Sequence, residues 1–383
     1  MAKRANGEGT IRKRSDGRWE GRYFDPVSEK QKSVYAKTQK EVREKIAKVF
    51  ESLGYGLDID KSKMKTKEWF DIWMKKYNVN IKPLTYDAYS AIIKNHISPK
   101  IGEIPLCSLN TNHIQDLYNF LCDKECGKGL SNKTLKNVHG VVHKALEQAC
   151  KINYIVRNPS DACVLPQCIR KKITPMETDV IKQFLEAIKK DEYRDIYFVT
   201  LFTGMRQGEI LGLKWDCVDL KNGCIKIKRQ LQKRKGKGSK YYLSETSKNS
   251  KERIVYPAQP VMDVLKDLRK KQMLYAPCDN IDEWEEGLVF ADSNGKHLVP
   301  NTVYKHYKRI VEELESKHLR FHDLRHSFAV ISLENGDNIK VVQEALGHHS
   351  SAFTLDTYAH TTKKAQLQSA QRMQSYINEL QVL

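Results

Sequence analysis

The sequence predicts a multidomain protein in three parts. A small three-stranded β-sheet plus helix forms an N-terminal module, an all-α domain follows, and a larger mixed, mainly-α (α+β) domain ends the chain. Three observations carry this reading. The 383 residues exceed the roughly 250–300 at which one hydrophobic core stops growing. The apolar pattern changes along the chain from alternation to helical spacing, and then to a mixture of the two. Polar, Lys- or Pro-rich stretches at 54–65 and 158–173 separate these patterns. The domains are accordingly expected at 1–58, 62–165 and 170–383.

In the first part, 10–14, 18–24 and 31–35 read as strands, separated by the turn signals Ser15-Asp16-Gly17 and Asp25-Pro26-Val27-Ser28. Alternation puts Trp19, Gly21 and Tyr23 on one face and Arg18, Glu20 and Arg22 on the other, a basic face or simply a solvated one. Thr38 to Glu41 has capping-box spacing. Val42, Ile46, Val49, Phe50 and Leu53 then recur at helical intervals, so an amphipathic helix can cover one sheet face.

The second part carries helical patterns around Trp69 to Tyr77, Thr85 to His96, Ile114 to Leu121 and Thr134 to Cys150, with Pro and Gly between them. The third mixes helices with strand-like runs at 223–232 and 251–256, which flank a Lys/Gly loop. Leu367, Ala370, Met373, Tyr376, Ile377 and Leu380 then predict an amphipathic helix at the C-terminus, packing in cis or docking on a neighbouring protomer.

Composition narrows the function. Hydrophobic residues make up 40% and charged residues 30%, which is not the composition of a disordered chain. The formal charge of +19 suits a polyanionic partner: DNA, RNA or an anionic membrane surface. The excess is +4, +7 and +8 over 1–60, 61–169 and 170–383, so no lone basic tail accounts for it. No apolar run reaches the about 20 residues of a membrane span, and no signal-like segment opens the chain, so a soluble intracellular protein is expected. Nine scattered Cys are expected to be reduced, mostly buried thiols.

Nucleotide chemistry finds no support, because no phosphate-binding loop with Lys and Ser/Thr is present. His322 and His326 stand at i and i+4, but the residue after His322 is Asp instead of the Glu of a zinc-protease helix. His139/His143, Cys122/Cys126 and Cys163/Cys168 are weak pairs, so no metal is expected.

A different set is informative: Thr203-Gly204-Met205-Arg206-Gln207-Gly208-Glu209, His322-x-x-Arg325, Leu346-Gly347-His348, and Tyr358 within Thr354-Leu355-Asp356-Thr357-Tyr358-Ala359-His360. In this order they resemble the tyrosine recombinases, most closely the integrases of phages, conjugative transposons and related mobile elements. The resemblance implies a tyrosine recombinase catalytic domain at 170–383, a core-site domain at 62–165 and an arm-site domain at 1–58. It implies catalytic Arg206, Lys248, His322, Arg325 and His348, with Tyr358 as nucleophile; for the lysine, Lys240, Lys251 and Arg253 lie close by. Cleavage would proceed through a 3′-phosphotyrosyl bond with a free 5′-hydroxyl, without metal, ATP or cofactor, to integrate and excise a mobile element.

The chemistry agrees with these residue types. Charge builds on non-bridging phosphate oxygens in the transition state, and a guanidinium grips them bidentately at any working pH. A tyrosine, with a reference pKa of about 10, needs a proton acceptor as it attacks, and His322 suits that role. A lysine on a hairpin can protonate the departing 5′-oxygen. Glu209, three residues after Arg206, is read as a brace for its guanidinium or as an ordinary surface pair.

The implied partners are double-stranded DNA at core attachment sites and separate arm sites, three further copies of the chain in a tetramer on paired DNA, an excisionase and a host DNA-bending protein. There is no membrane partner, and the implied setting is the bacterial cytoplasm at the nucleoid. Arg12, Arg14, Arg18, Arg22 and Lys32 are the expected arm-DNA contacts. Rival readings are a type IB topoisomerase-like enzyme and a non-catalytic DNA-binding protein.

Overall fold

A computed structural model describes residues 10–25, 30–54, 58, 61, 63–168, 175–233, 241–245, 252–275, 287–316, 318–347 and 363–380, with backbone alone for 51–54, 275 and 363–369. The chain divides into two compact units, Met1–Arg170 and Lys171–Leu383.

The first unit opens with an antiparallel sheet, β1 (Thr10–Lys13), β2 (Trp19–Asp25) and β3 (Lys30–Ala36), in that order. Helix α1 (Gln39–Gly54) covers it. The Thr38 hydroxyl accepts the Glu41 N–H at 3.2 Å, as the capping spacing predicts. Val42 and Ile46 are buried with Ala36 in one cluster, and Tyr23 meets Phe50 edge-on at 6.5 Å. Gly21 makes this approach possible: a Cβ there would lie 2.3 Å from Ile46 Cδ1 and 2.6 Å from Val42 Cγ1. The glycine is therefore a packing requirement of the helix on the central strand.

The same unit continues as helices. They are α2 (Thr66–Ile72), α3 (Pro83–Ile92), α4 (Ser98–Ile101), α5 (Thr111–Cys122) and α6 (Asn132–Lys151). α2 and α3 run on into π-helical turns, Trp73–Tyr77 and Ile93–Ile97. Asn110 and Ser131 cap α5 and α6 by accepting the His113 and Thr134 N–H groups. Trp69, Phe70, Leu117, Tyr118, Val138, Val142 and Leu146 meet in one core. The Trp69 indole N–H finds the Ala145 carbonyl at 3.0 Å, satisfying the one polar atom that this ring buries.

The second unit begins with α7 (Thr178–Ala187), α8 (Arg194–Thr203) and the short α9 (Gln207–Leu211). Strands β4 (Val218–Asp219), β5 (Cys224–Ile227) and β8 (Arg253–Val255) pair as β4-β5-β8, while β6 (Arg229–Lys233) and β7 (Tyr241–Glu245) form a separate hairpin. The 223–232 run is thus two strands in two sheets, and β7 adds a strand where the sequence reading placed a loop. Then come α10 (Gln259–Tyr275), α11 (Pro300–Glu313), α12 (Phe321–Glu334), α13 (Ile339–Leu346) and α14 (Lys363–Glu379). Within a largely aliphatic core, Phe184, Tyr197, Tyr307 and Phe321 lie ring against ring at 5.6–6.2 Å. On α14 Met373 and Tyr376 are exposed, as is Leu380 just past its end, along the apolar stripe the spacing predicts.

Among the described residues, no helix is long and apolar enough to cross a membrane. The eight described cysteines are free thiols.

Candidate functional site

α8 ends at Gly204, and two residues later Arg206 begins α9 as its N-cap. Glu209, one turn on, accepts the Arg206 backbone N–H at 2.8 Å and its NH1 at 2.7 Å. From the far side Arg253, the first residue of β8, gives the same carboxylate NH1 at 3.0 Å and NH2 at 2.6 Å, and passes its Nε to the Ala345 carbonyl at 2.8 Å. Glu209 is 3% exposed; Arg253 is 9% exposed, and Arg206 38%. Burial works against the carboxylate's charge, but Arg253 and then Arg206 win, holding Glu209 down at about 2. Glu209 is therefore a buried brace shared by two arginines, and the surface-pair alternative falls away.

Arg325, on α12, is 1% exposed. It donates NH1 to the Gly204 carbonyl at 2.6 Å and NH2 to the Leu346 carbonyl, the C-terminal ends of α8 and α13. Those carbonyls carry the negative pole of each helix, so the cation is held by dipoles as well as hydrogen bonds. Gly347 closes α13 at φ +63°, and a Cβ there would come within 2.9 Å of Arg253 Cδ. Arg253 and Arg325 thus clamp the same helix end from two directions.

His322 stands one turn before Arg325 with its ring open to solvent and packed edge-to-face on His326 at 4.8 Å. The protein behind the ring, then the charges of Arg325 and Arg206, pull its pKa below the ordinary imidazole value, so it is neutral at pH 7. His326, more enclosed and beside His322, is drawn down to about 4.

Arg206, His322 and Arg325 therefore share one electrostatic neighbourhood, as their order in the sequence predicts. Lys248, His348 and Tyr358 lie outside the described residues. Gly347 immediately precedes His348, and β7 and β8 flank the segment that carries Lys248. Arg253, which sequence reasoning treated as a neighbour of that lysine, is instead a scaffold residue. Its buried partner lies 44 residues away, so local spacing held no signal for it.

In the first unit, the register pairs Arg12 with Glu20 and Arg22 with Thr10, placing both arginines with Ser33 and Tyr35 on the face away from α1. Arg14 and Arg18 continue this face, with their guanidiniums 5.4 and 6.0 Å from the Tyr35 ring centre. Lys32 is a correction. It pairs with Tyr23, shares the α1 side of the sheet, and gives its Nζ to Asp25 at 2.6 Å. The single-residue offset of β3 decides this, because each step along a strand reverses the face.

His139 and His143 lie side by side with ring centres 5.6 Å apart, each with a further partner. Tyr118 OH bonds His139 Nδ1 at 3.0 Å and Asp161 meets His143 Nε2 at 3.0 Å. No set of three or more His, Cys, Asp or Glu able to hold a metal occurs among the described residues.

Residues 174–365 match the phage integrase family, and 66–122 match the phage integrase N-terminal SAM-like domain. A tyrosine recombinase XerC-like protein of Caldanaerobacter subterraneus is 26% identical over 87% of this chain and 88% of its own length. The ICEBs1 integrase of Bacillus subtilis is 23% identical, over 79% and 80%. Among solved structures, the Tn1549 transposon integrase in complex with transposon right end DNA has a TM-score of 0.68 at 23% identity, over 81% of this chain and 99% of that one. A lambda integrase dimer bound to a core site has a TM-score of 0.56 at 17% identity, over 93% and 96%. The family match spans half of the chain and contains the Arg206, His322 and Arg325 neighbourhood: the protein belongs to the phage integrase family and is a site-specific tyrosine recombinase, an enzyme that breaks and rejoins DNA.

Proposed function

We propose that the chain integrates and excises a mobile element by forming a 3′-phosphotyrosyl bond through Tyr358. Residues 170–383 act as the catalytic domain and clamp the crossover duplex together with 62–165, while 1–58 engages separate arm sites through the open sheet face. Four copies assemble on paired DNA in the bacterial cytoplasm, and an excisionase and a host DNA-bending protein assist.

In the reaction, the Tyr358 hydroxyl attacks the scissile phosphorus and passes its proton to His322. Lys248 protonates the departing 5′-oxygen. Arg206 grips the non-bridging oxygens, His348 donates to one of them, and Arg325 adds its positive field from beneath. Rejoining reverses these steps, so the energy of the phosphodiester is retained in the phosphotyrosine and neither ATP nor metal is needed.

The observation that carries this reading is a solvent-open imidazole in the field of two arginines, one half-buried and one fully buried, which favour its unprotonated form. A base that must take a phenolic proton at pH 7 has to be unprotonated, and cations close by lower the cost of the developing phenolate. The test is incubation with nicked duplexes carrying a candidate attachment site, read on a denaturing gel. A covalent protein–DNA band is expected for the wild type and absent for Tyr358→Phe. A band of equal strength in both would move the nucleophile elsewhere.

A further inference from the structure

The open face of the N-terminal sheet carries a carboxylate where a surface meeting a polyanion should repel it. Glu20 stands on the central strand with its side chain 3% exposed. Oε2 accepts Arg12 Nε at 2.6 Å, and Oε1 accepts Arg22 Nε at 3.2 Å, Ser33 Oγ at 3.1 Å and Tyr35 OH at 3.3 Å. These donors, Arg12 first, hold the carboxyl at about 2. So enclosed, Glu20 cannot reach a base itself.

Its effect falls on the two arginines. Each is engaged through Nε, yet the side chains remain 57% and 40% exposed. A guanidinium fixed at Nε is held in plane and still presents its two terminal nitrogens as a parallel pair. That end-on fork matches O6 and N7 of guanine in the major groove. Arg12 faces Glu20 across the strands, and Arg22 is two residues further along β2. Such diagonal neighbours stand roughly 7–8 Å apart, about two base-pair steps at about 3.4 Å each.

We propose that Glu20 is a specificity-positioning residue, locking Arg12 and Arg22 with their forks outward so that the sheet reads guanines about two steps apart instead of gripping phosphate alone. This rests on the arm-DNA reading of the module. A carboxylate whose purpose was charge balance would need no such geometry: here both arginines are met at the nitrogen that leaves the fork open, and two further hydroxyls pin the carboxylate.

The test is selection of duplexes from a pool of randomised base pairs by the full-length chain, by the Arg12→Lys/Arg22→Lys double variant, and by Glu20→Gln. The wild type is expected to enrich a motif containing two guanines. The double lysine variant keeps the charge and loses the fork, so guanine preference at each position should fall about tenfold, within the range of one bidentate contact. Glu20→Gln should reproduce that loss of guanine preference while its affinity for a guanine-free duplex does not fall, because the charge removed is negative and both arginines remain. Retained guanine preference in Glu20→Gln, with loss in the lysine variant, would overturn the positioning role but leave the module a DNA reader. Retained preference in the lysine variant overturns the proposal whether or not Glu20→Gln folds. Identical motifs and affinities for wild type and Arg12→Ala/Arg22→Ala would overturn the arm-DNA reading itself.

Discussion

Glu20 in the N-terminal sheet and Glu209 in the catalytic unit are each held between two arginines, each 3% exposed and each drawn to about 2. The arginines differ. Around Glu20 both are open to solvent, at 57% and 40%; around Glu209 one is 38% exposed and the other, Arg253, only 9%. One arrangement leaves two cations open to solvent. The other spends one cation on tying β8 to the end of α13 through the Ala345 carbonyl, and presents only Arg206. The burial of a carboxylate thus says little about its purpose, whereas the exposure of its partners separates presentation from bracing.

Stability should divide the two carboxylates first. Glu209→Ala strands a buried guanidinium and is expected to cost about 3–5 kcal/mol, read as a lower denaturation midpoint. Glu20→Ala leaves its arginines hydrated and should shift the midpoint much less. Equal shifts would erase the contrast. Next, Arg325→Lys removes the fork that joins the Gly204 and Leu346 carbonyls. Adduct formation on nicked DNA should slow about 10²–10³-fold, as on loss of an oriented charge-stabilising donor. A change under about tenfold would reduce Arg325 to a structural role.

Gly21→Ala tests the sheet from its covered side. A methyl group facing Ile46 should cost about 1–3 kcal/mol and speed amide exchange in β2 and α1. Unchanged exchange would mean that the helix yields freely.

The smallest effect is in pH. His322 and His326 bind protons less readily when folded, so their contribution is complete above the unfolded value near 6.5 and is lost as pH falls below it, for His326 down to about 4. Glu209 adds a second loss, from about 4.5 down to about 2. His326→Gln should flatten the first limb of a denaturation-versus-pH series and leave the second.

What was readable in the sequence follows the range of each interaction. Strand alternation in β2 sorted Arg22 from Tyr23 correctly because it needs only neighbours. Lys32, expected among the arm-DNA contacts, lies on the α1 side because its face depends on the register of β3 against β2, which no local pattern fixes. β7 was missed because Tyr241 to Glu245 follows a Lys/Gly-rich stretch that reads as one loop. Arg206 and the His322-x-x-Arg325 pair stood out as short motifs. The shared brace on Glu209 and the Arg325 bonds to two helix ends join residues 44, 121 and 21 positions apart, and no local pattern encodes them.

The alternation of β2 also has an evolutionary side. Gly21 and Tyr23 lie on the α1 side, against Val42, Ile46 and Phe50, while Glu20 and Arg22 stand on the opposite face. Outward residues are therefore free to drift without disturbing the packing that keeps the module folded. Under the proposed arm-DNA reading, the sequence the module recognises can change through a few outward positions, and an engineer can treat the face as an exchangeable label on a constant chassis.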